Sequence, residues 1–266
     1  MDIAGASKET QNEIQKRIAE LEAKGEFDTN VQPVDFSKMI PVTEDFVFLP
    51  KNPFFLIWRA IVRFLASLFG PLATYIVMGG RVKGRKNLRG IKGFVAPCNH
   101  VHSLDNMLVR QAVFGHTIYI TVAEFNNMKG FLGSFIRAAG TLPFSSNVRA
   151  IVNLQKALSH LLKKGCAILG YPEQALWYRY EKPRPLHDGM FNIAARNKVP
   201  VVPMFITFSE PSKFRWIFSK KKCATLNILK PIFYDESLSK KENIQNMMEK
   251  CSFEWNECYK SVYKNF

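Results

Sequence analysis

Cysteine is scarce in this sequence, and its spacing excludes two classes of small stabilised domain. The chain has five cysteines in 266 residues, an odd number, and none belongs to a Cys-x-x-Cys pair. This pattern fits neither a disulfide framework nor a zinc site, so we expect a reducing compartment and no bound metal. The N-terminus also lacks the basic and then apolar layout of a secretory signal peptide, which predicts that the protein stays in the cytoplasm.

Acidic residues are few compared with basic ones. The 37 lysines and arginines outnumber the 22 aspartates and glutamates and give a formal net charge of +15. This excess predicts anionic partners, which include nucleic acids, anionic membranes and phosphorylated substrates. The sequence has no RNA-binding aromatic motif and no recognition-helix pattern, so we expect no nucleic-acid partner. A basic cluster over 81–92, directly after an apolar segment, favours an anionic membrane surface.

No long apolar run is free of interruptions. The most apolar segment has 17 uncharged residues between Arg63 and Arg81, the lower limit for a helix that spans a bilayer. Gly70-Pro71 and Gly79-Gly80 are expected to break it, which argues against a clean transmembrane helix. Arginines among aromatic residues are typical of a helix in the membrane interface. We therefore predict a membrane-interfacial helical segment over 54–80, with a buried core helix and a true span as alternatives.

The remaining sequence alternates short apolar runs with amphipathic segments. Residues 1–53 are predicted to form a polar helix, in which Ile14 and Ile18 recur at helical spacing, and an extended, proline-rich arm. Residues 81–266 are predicted to form one domain. Strands are predicted over 94–97, 118–122, 167–169, 199–206 and 225–229. Strands that alternate with helices indicate an α/β fold, with a central mixed sheet flanked by helices and preceded by the membrane-contacting segment.

A polar cluster from Asn99 to Asp105 lies at the exit of a predicted strand, where α/β proteins commonly place binding and catalytic groups. A histidine can accept and return a proton near neutral pH, and a carboxylate can hold its tautomer. Residues five apart in a helix lie about 140° apart, so His100 can pair with Asp105 only from the turn before the helix. His102, three residues from Asp105, could face it within a helix, so both histidines remain candidates from spacing alone.

Four short blocks follow one another along the chain. They are Asn99-His100-x-x-x-x-Asp105, Gly140-Thr141-Leu142-Pro143-Phe144, Gly170-Tyr171-Pro172-Glu173 and Val199-Pro200-Val201-Val202-Pro203. Their order resembles that of the glycerolipid, or lysophosphatidic acid, acyltransferase family, over about 81–234. The resemblance implies that His100 is the general base, that Asp105 orients it and that His102 is a neighbour. It also implies no acyl-enzyme, so Cys98 needs no nucleophilic role.

Two of the blocks depart from the family pattern. The third usually continues Glu-Gly-Thr-Arg, whereas here Glu173 precedes Gln174-Ala175-Leu176, and the second lacks its usual acidic residue and arginine. We expect Glu173 to serve the acceptor site, by binding hydroxyls or by orienting a cation. The candidate cations for the phosphate of the acceptor are Arg179, Lys182, Arg184 and Arg149. Arg184 is preferred because a proline on each side stiffens it.

The resemblance implies an O-acyltransferase that moves a fatty acyl group from acyl-CoA or acyl carrier protein to the free hydroxyl of a lysophospholipid. The simplest acceptor is 1-acyl-sn-glycerol 3-phosphate, which would give phosphatidic acid. The thioester is a co-substrate, and we expect no cofactor. We expect the enzyme at the cytoplasmic face of a membrane, as a peripheral or monotopic protein. The alternatives are an acyltransferase with another lipid acceptor and a catalytically silent membrane-binding protein of the same fold.

Overall fold

The computed structural model describes residues 11–264, except for the side chains of Phe214 and Phe218, so residues 1–10 of the predicted polar segment lie outside it. The helices are α1 (Gln11–Lys24), α2 (Pro53–Met78), α3 (Asp105–Ala112), α4 (Gly130–Ala139), α5 (Val148–Lys163), α6 (Gly189–Asn197), α7 (Lys213–Phe218) and α8 (Lys240–Tyr263). The strands are β1 (Arg81–Lys83), β2 (Phe94–Pro97), β3 (Ile118–Val122), β4 (Thr141–Pro143), β5 (Ala167–Gly170), β6 (Met204–Ser209) and β7 (Cys223–Ile228).

The strands form a central mixed sheet in two hydrogen-bonded parts. One part has four parallel strands in the order β2-β5-β3-β4, and the other has the order β1-β7-β6, with β6 and β7 antiparallel. The parts meet where β2 lies beside β6, through a parallel bridge between Cys98 and Met204. The predicted α/β architecture with a central mixed sheet is therefore confirmed.

Asn99 joins the two parts of the sheet. Its side-chain Oδ1 accepts the Ile206 N–H at 2.7 Å, and its Nδ2 donates to the Ile206 carbonyl at 3.0 Å. The buried amide therefore pairs with β6 as the main chain of a strand residue would. Because buried backbone groups need partners, this contact fixes the end of β2, from which the turn with His100 departs.

Helices cover both faces of the sheet. On one face, α5, α6 and α8 pack against residues such as Val95 and Ile168, and on the other, α3 packs against residues such as Ala96 and Leu169. Neighbouring residues of one strand thus enter opposite cores. Burial on both faces explains why these strands are continuously apolar in the sequence rather than alternating.

Helix α2 is more regular than predicted. The expected break at Gly70-Pro71 is wrong, because the helix continues through both residues and ends only at Met78. Packing against α3 and α4 supports the helix across the hydrogen bond that proline removes. Gly79, with φ of 62°, forms the C-terminal cap, and a Cβ there would lie 2.6 Å from the Cys223 Sγ.

One side of α2 packs on the domain, and the other side is exposed. The buried positions include Val62 and Thr74, where the Thr74 hydroxyl donates to the Gln111 Oε1 on α3 at 3.2 Å. The exposed side is apolar and includes Phe54, Ile57, Phe64, Leu68, Leu72 and Ile76. By length and composition α2 could cross a membrane. The alternative of a helix buried in the core does not fit this exposure.

The predicted strand over 199–206 is too long at its start. Strand β6 begins at Met204, and Val201 makes only isolated bridges, with Val95 and with Ile232. Pro200 and Pro203 explain the difference, because proline has no N–H to donate to a sheet.

The N-terminal arm packs on the segment that follows β5. Ile14 and Ile18 of α1 enter a small apolar cluster with Trp177 and Tyr180, apart from the two main cores. Further along the arm, the Ile40 N–H donates to the Asn127 carbonyl at 2.7 Å. Helix α1 lies where the apolar spacing predicts it.

Candidate active site

The turn between β2 and α3 wraps around one carboxylate. Asp105 is the first residue of α3 and is fully buried. Its Oδ2 accepts the Val101 N–H at 2.8 Å and the His102 N–H at 3.0 Å. The same oxygen lies 3.1 Å from the Nδ1 of His100. Three groups of one short turn therefore converge on a single oxygen, which fixes both the backbone and the imidazole.

This arrangement sets the tautomer of His100. A carboxylate can only accept, so the ring proton sits on Nδ1 and leaves a lone pair on Nε2. No hydrogen bond from residues 11–264 reaches Nε2, and the His100 side chain is 21% exposed. The imidazole can therefore take a proton from a molecule that approaches from outside.

His102 has a different environment. Its Nδ1 accepts the Leu104 N–H at 3.1 Å, and its ring lies 5.5 Å from that of Tyr178. The group it offers to Asp105 is its backbone N–H rather than its imidazole. Of the two histidines that spacing left as candidates, the structure pairs the ring of His100 with the carboxylate.

Tyr171 fixes the plane of the His100 ring. The two rings are stacked, with centroids 3.8 Å apart and planes 14° apart. Burial raises the pKa of the Tyr171 phenol well above its usual value, and the charge of Asp105 adds to this. The buried hydroxyl has no hydrogen-bond partner in the described part of the chain. The ring, and not the hydroxyl, is therefore what Tyr171 contributes to the site.

Glu173 is the centre of a second buried network. Its Oε2 accepts the His100 N–H at 3.2 Å and the Arg184 Nη2 at 2.8 Å, while its Oε1 accepts the Arg184 N–H at 3.0 Å. Both side chains of this ion pair are 1% exposed. Of the two roles expected for Glu173, the geometry fits the orientation of a cation, and the carboxylate also holds the backbone of His100.

Arg184 is not placed for the predicted phosphate contact. Besides Glu173, its guanidinium donates to the carbonyls of Phe27 and Ala175, at 2.9 and 2.6 Å, and it lies 4.8 Å from the Trp177 ring centroid. Its Nε has no partner among residues 11–264, but the side chain is 1% exposed, so the guanidinium is enclosed by protein and not open to a ligand. The preference for Arg184 as the phosphate ligand is therefore corrected, because the residue shapes the loop from inside.

Residues 174–188, the acceptor loop, lie against the turn with His100. The Trp177 N–H donates to the His100 carbonyl at 3.0 Å, and the Arg179 N–H donates to the Val101 carbonyl at 2.8 Å. The arm holds this loop from outside, since the Trp177 indole donates to the Thr29 carbonyl at 3.0 Å.

The other predicted cations differ in their partners. Lys182 pairs with Glu22 of α1 at 2.5 Å, and Arg149 pairs with Glu44 of the arm at 2.9 Å. The guanidinium of Arg179 contacts no carboxylate within residues 11–264: it donates to the Lys222 carbonyl at 3.0 Å and leaves Nε without a partner. Only Arg179 combines an uncompensated charge with a backbone contact to the turn at His100.

Cys98 lies next to the site but has the wrong chemistry for a nucleophile. Burial raises the pKa of its thiol well above the usual value, and the charges of Asp105 and Glu173 add to this. The thiolate is the reactive form of cysteine, so this residue stays unreactive. Within residues 11–264, no group of three or more His, Cys, Asp or Glu side chains could hold a metal ion.

Sequence reasoning named Tyr171 and Asn99 only as parts of motifs and missed what they do. The stack on His100 and the amide link to β6 depend on contacts between residues that are distant in sequence. The one available signal was the position of each residue, at the carboxyl end of a strand.

The geometry places an aspartate-oriented imidazole with an open Nε2 at the end of a buried strand, the arrangement that a general base requires. Residues 80–207 match the family model described as Acyltransferase. The chain is also similar to the crystal structure of the 1-acyl-sn-glycerophosphate (LPA) acyltransferase PlsC from Thermotoga maritima, with 19% identity over 77% of this chain and 84% of that chain and a TM-score of 0.49. No curated protein sequence matches the chain.

Residues 80–207, slightly less than half of the chain, contain all four blocks found in the sequence. The family model and the four-block resemblance therefore point to the same acyltransferase-like domain.

Proposed function

We propose that this enzyme transfers a fatty acyl group from the thioester of acyl-CoA or acyl carrier protein to the free hydroxyl of a lysophospholipid. The proposed acceptor is 1-acyl-sn-glycerol 3-phosphate, and the product is phosphatidic acid. The open Nε2 of His100, held by Asp105 at 3.1 Å through Nδ1, is the observation that carries this proposal. We further propose that the enzyme works at the cytoplasmic face of a membrane, with the exposed side of α2 in the interface.

The proposed reaction needs only one proton carrier. Nε2 of His100 removes the proton of the acceptor hydroxyl while its oxygen attacks the thioester carbonyl. The tetrahedral intermediate collapses, the carbon–sulfur bond breaks and the imidazolium returns the proton to the leaving thiolate. The products are the ester and a free thiol. The buried Asp105 stabilises the imidazolium that forms between the two steps.

Arg179 is the proposed ligand of the acceptor phosphate. Arg179→Gln is expected to raise the KM for 1-acyl-sn-glycerol 3-phosphate at least about tenfold, since a charge-assisted contact is lost. The matched variants Lys182→Gln and Arg149→Gln should change this KM less than about threefold, because both cations are exposed and already paired with carboxylates. Steady-state kinetics with monoacylglycerol, which has no phosphate, provides the control. A similar KM increase for that acceptor would show that Arg179 does not recognise phosphate.

Tyr171 is expected to act through its ring. Tyr171→Phe should leave kcat within about threefold of wild type and should not lower Tm, because it keeps the stack and removes a buried unpaired hydroxyl. Tyr171→Ala frees the imidazole and should lower kcat by about ten- to a hundredfold. Kinetics and thermal unfolding of both variants test this. Equal losses in both would assign the effect to the hydroxyl instead.

A catalytically silent membrane-binding protein is the second candidate, which the altered second and third blocks favour. The deciding experiment incubates purified protein with a labelled acyl donor and a panel of lysolipids, with products read by mass spectrometry. Acylated lysophosphatidate, lost in His100→Ala, supports the enzyme. If no lysolipid is acylated above the level of His100→Ala, the silent protein is the better description.

A further inference from the structure

Helix α7, between β6 and β7, presents two large apolar side chains to solvent. Trp216 is 55% exposed and Ile217 is 72% exposed, although the adjoining strands are buried. The Ser212 hydroxyl caps the helix by accepting the Arg215 N–H at 3.4 Å. An exposed tryptophan next to an exposed isoleucine is costly in water and marks a contact surface. Neither residue takes part in the acyl transfer described above.

Arg215 fixes α7 to the end of α2. Its Nη2 donates to the Ile76 carbonyl at 3.0 Å, and its guanidinium lies 5.3 Å from the centroid of the Tyr75 ring. Both α2 residues belong to the exposed apolar side of that helix. The surface of Trp216 and Ile217 therefore lies beside the apolar side of α2 and is held there by a defined contact.

The end of the α7 segment lies beside the entrance to His100. The Lys222 carbonyl accepts from Arg179, and the Arg179 N–H donates to Val101, the neighbour of His100. Helix α3, which begins with Asp105, packs on α2. The turn that holds His100 is thus connected to α2 through α3 and to α7 through the acceptor loop.

The charges around this surface specify its partner. Helices α2, α4 and α7 contain no aspartate or glutamate. Three exposed lysines follow α7: Lys222 pairs with Glu181 at 2.9 Å, whereas Lys220 and Lys221 face solvent, and the Lys220 Nζ lies 4.8 Å from the Trp216 ring centroid. Tryptophan next to lysine is typical of the boundary between acyl chains and anionic headgroups.

We propose that α7 is a second membrane-binding element, which inserts Trp216 and Ile217 into a bilayer with anionic lipids. Together with α2, it holds the entrance to His100 against the membrane, so that a lipid acceptor reaches the base from the bilayer and not through water. The binding itself is independent of the proposed acyl transfer, whereas the route of the acceptor rests on it.

The binding test uses the full chain and vesicles of phosphatidylcholine with phosphatidylglycerol. The double variant Trp216→Ser and Ile217→Ser is expected to bind these vesicles about tenfold more weakly in a sedimentation assay. Phe253→Ser is the matched control, because Phe253 is an exposed apolar residue of α8, which packs on the sheet through β6. It should bind like wild type. Circular dichroism and Tm confirm that all three proteins are folded.

Variants of the lysines distinguish electrostatic attraction to the headgroups from insertion into the acyl chains. Lys220→Gln with Lys221→Gln should weaken binding to the anionic vesicles about tenfold and leave binding to pure phosphatidylcholine vesicles unchanged. Added salt should reduce the difference between wild type and this variant. Equal losses on both kinds of vesicle would contradict an electrostatic role.

Fluorescence locates the insertion. Trp177 and Trp255 are fully buried, but Trp58 of α2 is half-buried and could also respond, so the measurement uses a Trp58→Phe background. In that background, a blue shift on vesicle binding, with quenching by brominated acyl chains, should be lost mainly when Trp216→Phe is added. The proposal is overturned if the Trp216 and Ile217 double variant binds vesicles like wild type. It is also overturned if light scattering shows a dimer of wild type that this variant dissociates, since a second copy would then cover the surface.

Activity separates this inference from the proposed function. The double variant should lose acylation of lysolipid embedded in vesicles and keep acylation of a short-chain lysolipid dissolved as monomers. Equal loss on both substrates would contradict the bilayer route. Absence of acylation in wild type would contradict the proposed function and leave the vesicle-binding result standing.

Discussion

His100→Ala is expected to lower kcat by about three orders of magnitude and to leave the fold intact. General acid–base catalysis by a positioned side chain contributes about a hundred- to ten-thousandfold, and here one imidazole handles both proton transfers. The backbone contacts of His100 to Glu173 and Trp177 do not need its side chain. The measurement is acyl transfer from a labelled thioester, together with Tm and vesicle binding, both of which should stay near wild type.

Two other histidines serve as controls for this result. His160→Ala changes an exposed histidine of α5 and should leave kcat unchanged. His102→Ala removes a ring that contacts Tyr178 and should lower kcat less than about tenfold, because Asp105 still holds His100. A larger loss in His102→Ala than in His100→Ala would exchange the roles of the two residues.

Arg184→Met is expected to lower the free energy of unfolding by about 3 to 5 kcal/mol. Removal of one partner of a buried ion pair leaves the other charge without compensation, and both side chains are 1% exposed. The variant also loses the hydrogen bonds to the Phe27 and Ala175 carbonyls. Urea denaturation measures the change. Lys182→Met, which breaks an exposed pair with Glu22, should cost less than about 1 kcal/mol.

The loss of stability caused by Arg184→Met should depend on pH in a defined direction. Burial raises the pKa of the Glu173 carboxyl, and the Arg184 guanidinium opposes this increase. Native Glu173 therefore holds its proton more tightly than the unfolded chain, and the stability it contributes in acid is lost as pH rises through the native pKa. Without Arg184 that pKa rises further, so Arg184→Met should be closer to wild type at about pH 4 than at about pH 7. A constant difference between these pH values would mean that Glu173 is not the group left uncompensated.

Adding Glu173→Gln to Arg184→Met should restore part of the lost stability, because the uncompensated charge is gone. It should not raise kcat to the wild-type value, since an amide has one acceptor oxygen where the carboxylate uses two, Oε2 for the His100 N–H and Oε1 for the N–H of residue 184. Recovery of both quantities would mean that Glu173 has no part in placing the base.

The sequence predicted the elements that are specified by residues close to one another in the chain. The continuous apolar strands over 94–97 and 118–122 and the helical spacing of Ile14 and Ile18 specify their own structure. The pairing of His100 with Asp105 could be proposed from spacing and chosen over His102 by family resemblance. In the structure, three hydrogen bonds to the Asp105 Oδ2 hold His100, and not His102, with its ring against the carboxylate.

The failures concern residues whose partners are distant in the sequence. Nothing near Arg184 indicates that its guanidinium would turn inward to Glu173 and to the Phe27 carbonyl, so a basic residue between prolines was taken for a phosphate ligand. The continuity of α2 through Pro71 likewise depends on packing against α3 and α4, which local propensity does not include.

The contacts between the N-terminal arm and the acceptor loop determine when, during synthesis, the site can be assembled. The Thr29 carbonyl accepts the Trp177 indole N–H, and the Asp28 carboxylate lies 2.9 Å from the Nε2 of His187. In each pair the second residue is synthesised about 150 residues after the first, so neither contact can form earlier. Until the loop has left the ribosome, the turn with His100 lacks Glu173, Trp177 and Arg179. A nascent chain can therefore expose its apolar α2 to a membrane well before it possesses a working base.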